Sequence, residues 1–341
     1  MTGATLAQGR MSRQRGYRLR VGLLMVLVAG LFLMTLMVGQ SITPLGDVIR
    51  VIMGEDVAGA SFVVGQLRLP RVTVAILTGL SFGLGGVAFQ IMLRNPLASP
   101  DIIGITSGAT TAAVFAIVVL SMTGVQVSAF AVIAGLLVAG TIYLLSRKGG
   151  AVGTRIILIG IGVSAMLDSV TSYLLTQALV WNLQEALRWL AGSLNGVKLH
   201  QAAPVAAALA VFGMPLLGQT RSLEILRLGD DTAAGLGVSV GRTRAIVITC
   251  AVGLIAFATT AAGPIAFVPF LSGPIAAKLI GSRGSLLIPA ALVGAVLVVL
   301  GDFVGQFGFD TRYPVGVITG AMGAPYLVFL IVRSAKNGSL F

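Results

Sequence analysis

Apolar runs bounded by charge, glycine or proline follow one another along almost the whole chain, near 21–39, 71–93, 101–121, 127–146, 155–179, 201–219, 245–262, 264–281, 286–304 and 314–333. Most approach the roughly 20 apolar residues that a helix needs to cross a bilayer. Lipid cannot satisfy the edges of an open sheet, so these runs are expected as helices. The pattern predicts an all-α, polytopic membrane protein with about ten transmembrane helices. Gly263-Pro264 and Gly273-Pro274 interrupt the 245–281 region, which leaves its division open.

Between the runs, two stretches are long enough to carry structure of their own. Residues 40–70 contain TPLGDVIRVIMG, in which Leu45, Val48, Ile49 and Ile52 recur at helical spacing, as in a helix lying on the membrane surface. Residues 180–200 predict a short amphipathic helix with Trp181 and Trp189 at the interface. Many of the 45 glycines fall inside spans, as in GLSFGLGG at 79–86, and small residues four apart let helix backbones approach closely.

Composition narrows the picture. Hydrophobic residues make up 56% and charged residues 10%, against about 25% charged in an ordinary soluble domain, so no sizeable soluble domain fits. An even number of spans starting inside places residues 1–20, 94–100, 147–154, 220–244, 282–285 and 334–341 in the cytoplasm. Seventeen of the 23 Lys and Arg then lie inside or at inner helix ends and six lie outside, which obeys the positive-inside rule. The net charge of +12 is thereby explained by topology, without nucleic acid as a partner. The basic arm at 13–20 leads directly into an apolar run too long for a signal-peptide core, which is expected as an uncleaved first span. The expected organisation is a cytoplasmic tail at 1–20, one transmembrane domain at 21–333 and a cytoplasmic tail at 334–341, in the inner (cytoplasmic) membrane.

The chemistry available is sparse. The single histidine, His200, excludes histidine-based metal sites and triads within the chain, and the single cysteine, Cys250, reads as a small packing residue. No phosphate-binding Gly-x-x-x-x-Gly-Lys-Ser/Thr loop exists. No cofactor is expected, and any ATP that drives this protein is bound by another polypeptide.

One passage stands apart: LRLGDDTAAGLGVSVGRTR at 226–244 is charged, compact and punctuated by glycine amid apolar sequence. This loop, together with RLPR at 68–71, GLSFGLGGVAFQ, RNPLASPDIIGITSGA at 94–109 and YPVGVITGAMGAPY at 313–326, resembles the iron-siderophore and vitamin B12 importer permeases of the ABC superfamily (FecCD-like). The motifs run in family order from roughly residue 40 to residue 333. GIGVSAML at 160–167, AGSLNG at 191–196 and LGDDTAAGLGVSV make the chain most similar to ferric-enterobactin permease subunits.

The resemblance implies a type II importer permease that hydrolyses nothing itself and imports a ferric siderophore. Its implied partners are a cytoplasmic ATPase dimer, a second permease, with a paralogous heterodimer favoured over a homodimer, and an extracytoplasmic siderophore-binding protein. It implies that 220–244 forms two short helices seated in the ATPase, involving Leu228, Gly229, Asp230, Asp231, Ala234, Leu236, Gly237 and Val238. Asp230 or Asp231 is suited to cap a short helix, Gly235 and Gly237 to end it, and Leu236, Val238 and Val240 to supply apolar knobs. Arg68 and Arg71 are implied to meet carboxylates of the binding protein. Arg312 is a further docking candidate, standing where many relatives carry glutamate.

In the fifth span Ser164, Asp168, Thr171 and Ser172 fall on one helical face, and an acid within a membrane faces protein or water. The resemblance implies that this span borders the translocation path, which makes them path candidates, with a hydrogen bond to a neighbouring helix as the alternative. Asp302 in the ninth span poses the same question. SGPIAA at 272–277 departs from the family's common Ala-Pro-His before Ile-Ala-Arg. Vitamin B12 or haem remains an alternative cargo. From another class, a gradient-driven secondary transporter would use Asp168 for coupling.

Overall fold

The computed structural model describes residues 3–99, 104–146, 152–281 and 284–337. Among these the regular structure is helical throughout, and every predicted span has a helical counterpart. The helices are α1 (Gly3–Met37), α2 (Leu45–Ile52), α3 (Leu69–Leu93), α4 (Ile105–Val118), α5 (Val125–Ser146), α6 (Val152–Thr176), α7 (Val180–Leu190), α8 (Ala202–Ala208), α9 (Met214–Gly218), α10 (Thr220–Leu226), α11 (Asp230–Gly235), α12 (Val240–Ala262), α13 (Val268–Ile280), α14 (Leu287–Phe307) and α15 (Val315–Asn337). Seven stretches are long and apolar enough to span a membrane, and Ile105–Val118, Val268–Ile280 and Val315–Leu330 are shorter apolar helices.

One span differs from its sequence outline, and the region left open at 245–281 divides where the outline placed the break. The span at 201–219 is broken into α8, a π-helical stretch Leu209–Gly213 and α9. Pro215 has no N–H to return to the preceding turn, and the helix widens just before it. The 245–281 region divides at Gly263, whose φ of +71° closes α12, and α13 restarts after Phe267, itself left-handed at φ +65°. The surface helix expected within 40–70 is α2, with Val48 buried and Leu45, Ile49 and Ile52 exposed. The amphipathic helix expected within 180–200 is α7.

α3 is the axis of the bundle. It packs against α14, α12 and α13, and 18 of its residues are buried. The glycine seam makes this possible: a Cβ on Gly79 would sit 2.5 Å from Ala295 Cα, and one on Gly83 would meet the Ala290 carbonyl. Backbones therefore touch where side chains would otherwise intervene. Around this centre, α1, α5 and α6 keep most of their surface uncovered by the rest of the chain. Cys250 is buried in α12.

Candidate functional site

α3 begins beside the ends of α1 and α14 and finishes beside α11, so α10 and α11 define one end of the bundle, called inner below. α10 turns Leu223 and Leu226 into the core, each 1% exposed, and α11 anchors through Ala233. Gly229, at φ +112°, joins the two helices, and Gly237, at φ +85°, follows the second. The acids do not cap α11 as expected. Gly229 occupies the cap position, no side chain caps the helix, and Asp230 lies in the first turn.

The Asp230 carboxylate instead meets Arg244 of α12 at 2.8 Å and Arg94 at 3.3 Å. Arg94 closes α3 in a left-handed conformation. One carboxylate thus ties α11 to α12 and to the inner end of α3. Of the expected apolar knobs, Leu236 is 60% exposed, and Leu228 stands out at 64%. Val238 and Val240 are half-buried and pack against the core, so they present less apolar surface than Leu236. Asp231 and Ala234 are exposed on α11. Beside α10 lies a cavity of about 780 Å³ bounded by Arg221, Glu224, Lys278 and Leu330.

At the outer end, two of the three candidate docking arginines are engaged within the chain. Arg68 donates to the carbonyls of Leu36 (2.8 Å), Met37 (3.0 Å) and Ser41 (2.7 Å) and to Thr43 Oγ1 (3.2 Å). It supplies donors that the end of α1 lacks. Arg71 forms two 2.8 Å bonds to the two oxygens of Asp302, and Gln306 Nε2 adds a third at 2.7 Å. Arg312 is exposed, with no ion pair among the described residues. It borders an outer cavity of about 870 Å³ together with Lys198 and His200.

The four polar residues of α6 do not share one environment. Thr171 is buried, donating to the Leu167 carbonyl at 3.0 Å and meeting Thr111 Oγ1 of α4 at 2.9 Å. Ser164 Oγ is also buried and has no hydrogen-bond partner among the described residues. Asp168 and Ser172 are exposed, and the Ser172 hydroxyl bonds the Asp168 carbonyl at 2.9 Å. At 100° per residue the stripe spans nearly a third of the helix circumference, so its two edges straddle the boundary of the packed face. Asp168→Asn is expected to leave insertion and assembly intact and to change the uptake rate. Transport at the wild-type rate in vesicles would reduce Asp168 to an ordinary surface residue.

The Arg71–Asp302 pair escaped sequence reading, although a signal existed. An acid buried in a span requires a counter-charge, and Arg71 is the cation at the outer end of the central helix.

A bundle of seven helices long and apolar enough to cross a membrane and three shorter apolar ones, with a compact two-helix elbow at one end, has the architecture of a polytopic membrane permease. The FecCD transport family matches residues 24–333, and the chain belongs to that family. It is 35% identical over 292 residues to the ferric enterobactin transport system permease protein FepG of Escherichia coli (strain K12), covering 85% of this chain and 88% of FepG. It is 34% identical over 333 residues to the achromobactin transport system permease protein CbrC of Dickeya dadantii (strain 3937), covering 96% and 95%. Other relatives are named for cobalamin, ferric citrate and iron(III)-hydroxamate import. Among solved structures, a metal-chelate type ABC transporter in an inward-facing conformation superposes with a TM-score of 0.83 at 26% identity, covering 93% of this chain and all of that one. The protein is accordingly a permease component of a siderophore- or B12-type ABC importer, a multi-pass membrane protein that works with a separate ATPase and a second permease.

Proposed function

We propose that this permease imports a ferric siderophore of the catecholate, enterobactin-like class across the inner membrane, with both termini cytoplasmic. The α10–α11 elbow carries the proposal: it projects Leu228 and Leu236 outward while Asp230 fastens it to α3 and α12. A load applied at the elbow reaches the central helix through that carboxylate and through Leu223 and Leu226. ATP binding and hydrolysis in the partner subunit then shift the population between outward and inward openings.

The likeness to FepG supports the catecholate class, while the breadth of cargo among the other relatives leaves citrate, hydroxamate and cobalamin as rivals. Uptake of iron-55-labelled ferric enterobactin in cells lacking this chain tests the reading. Restoration by the wild-type chain, and not when the partner ATPase is catalytically dead, supports it. Uptake of cobalamin or ferric citrate instead would reassign the cargo, and uptake that follows a pH gradient without the ATPase would return the secondary transporter.

A heterodimer with a paralogous permease, served by a siderophore-binding protein at the outer face, completes the complex. With Arg68 and Arg71 engaged internally, Arg312 and Lys198 are the cations best placed to meet carboxylates of that binding protein. Charge reversal Arg312→Glu is expected to weaken docking several-fold at low salt and less at high salt, because exposed charge pairs are screened. A Kd unaffected by the substitution at low salt would remove Arg312 from the interface.

A further inference from the structure

The SGP sequence at 272–274 places a proline inside a membrane helix. Pro274 is the seventh residue of α13, where it has no N–H to offer the Phe270 carbonyl one turn earlier. An unpaired carbonyl in a protein interior within a bilayer costs several kcal/mol unless a neighbour supplies a donor. That donor is present: Gln90 Nε2, from the buried face of α3, lies 2.9 Å from Phe270 O. A carbonyl can only accept, so the amide nitrogen must face it.

The surroundings are shaped to admit this amide. Gln90 is 1% exposed, and its Oε1 is buried against Gly273, where any Cβ would collide with it. The adjacent Ser272 hydroxyl bonds the Val268 carbonyl one turn earlier at 2.6 Å, and the Pro269 carbonyl occupies the space that a side chain on Gly86 would fill. The outer half of α13 is therefore clamped to α3. Past the proline, α13 makes a different set of contacts. Lys278 Nζ stands 5.0 Å from the ring centroids of Tyr326 and Phe329 on α15. Arg20 of α1 donates to the carbonyls of Leu279 (2.7 Å) and Ile280 (3.1 Å). Ala277 and Lys278 border the cavity that α10 closes with Arg221 and Glu224.

We infer that Gln90 is a positioning residue of the transport cycle: its amide stands in for the N–H that Pro274 lacks, and so sets the angle at which the inner half of α13 faces α10 across the cavity that both line. The inference rests on the permease reading for its consequence, and on the hydrogen bond alone for its existence. Glycine at 273 belongs to the same device, since it provides the room for Gln90 and a flexible residue at the break. A proline whose freed carbonyl is held from the central helix gives α13 a defined pivot, with the Phe270 carbonyl met and Gln90 Oε1 left as the one buried atom of the amide without a partner among the described residues.

The test compares wild type, Gln90→Leu, Pro274→Ala and the double variant, each purified as the full permease complex in nanodiscs. Gln90→Leu keeps the volume and removes the donor. It is expected to lower the melting temperature by several degrees when Pro274 is present and to cost far less beside Pro274→Ala, where a restored backbone N–H serves the Phe270 carbonyl. An equal loss in both backgrounds overturns the bond. The second readout is the electron-spin distance between labels at the exposed Leu279 of α13 and Leu144 of α5, in a Cys250→Ala background. Gln90→Leu is expected to broaden that distribution, and the double variant to narrow it again around a shifted mean. A distribution identical to wild type in Gln90→Leu overturns the positioning role, since lost packing elsewhere would not report on this angle. Should Gln90→Leu fail to insert, rescue by Pro274→Ala supports the pairing and continued failure refutes it. Neither readout needs the transported ligand, so an error in the assigned cargo would leave both results standing.

Discussion

Leu236→Asp is expected to strip the ATPase from the permease while the bundle still folds and inserts. Leu236 is 60% exposed just after α11, so an aspartate there costs the isolated chain little. Burying the carboxylate in the cleft of a partner is another matter, because a charge removed from water without a counter-ion is strongly disfavoured. The expected loss, about 2–4 kcal/mol, is of the size measured for interface anchors and corresponds to roughly 30- to 900-fold in Kd. Co-purification of the ATPase with the variant permease is the direct measurement. Val238→Asp makes an informative companion: Val238 packs on the core, so its cost is expected in folding, before any partner is met. Normal ATPase retention by Leu236→Asp would place the motor's grip elsewhere and remove the mechanical link proposed for the elbow.

Arg71→Ala is expected to destabilise the permease by about 3–5 kcal/mol, the range for removing one partner of a buried ion pair. Asp302 is only 8% exposed at its side chain and would retain Gln306 as its polar partner. The loss is expected to appear as a lower melting temperature and poorer yield of inserted protein. Asp302→Ala is expected to do similar damage by stranding Arg71. The charge-swapped pair, Arg71→Asp with Asp302→Arg, is expected to recover part of the loss, since the attraction survives while the bidentate geometry does not. A surface docking role predicts the opposite pattern: normal stability, with a salt-dependent defect in binding-protein affinity. Arg71→Ala with wild-type stability would therefore restore it as a docking residue.

The two predictions address opposite ends of α3 and differ in what a sequence can disclose. The elbow is a local object: its charged, glycine-punctuated residues stood out between two apolar runs, the family resemblance implied a pair of short helices there, and α10 and α11 occupy that stretch. The side-chain roles within it were less legible. Asp230 looked like a helix cap because caps are a local pattern, yet its carboxylate reaches Arg94, 136 positions away in the chain, and Arg244 on the next helix. Val238 and Val240 alternate with Leu236 as a loop pattern, and only packing assigns one outward and two inward.

Hydrophobic run length and the bilayer's demand that backbone groups pair internally were enough to outline the apolar runs, their helical nature and, through the lysine and arginine bias, an expected orientation. Each of these depends on neighbours within one helical length. What the tertiary structure decided is which polar group answers which: Arg68 to the end of α1, Arg71 to Asp302 across 231 residues, and Gln90 to Phe270 across 180. It also decided that the α6 stripe is split between a packed edge and an open one. These are pairings between helices, and in an apolar interior any unmet donor, acceptor or charge is costly enough to be matched wherever the fold brings a partner within 3 Å. The chain's periodicity records that a polar residue lies on a face, but carries no term for the helix that face will meet.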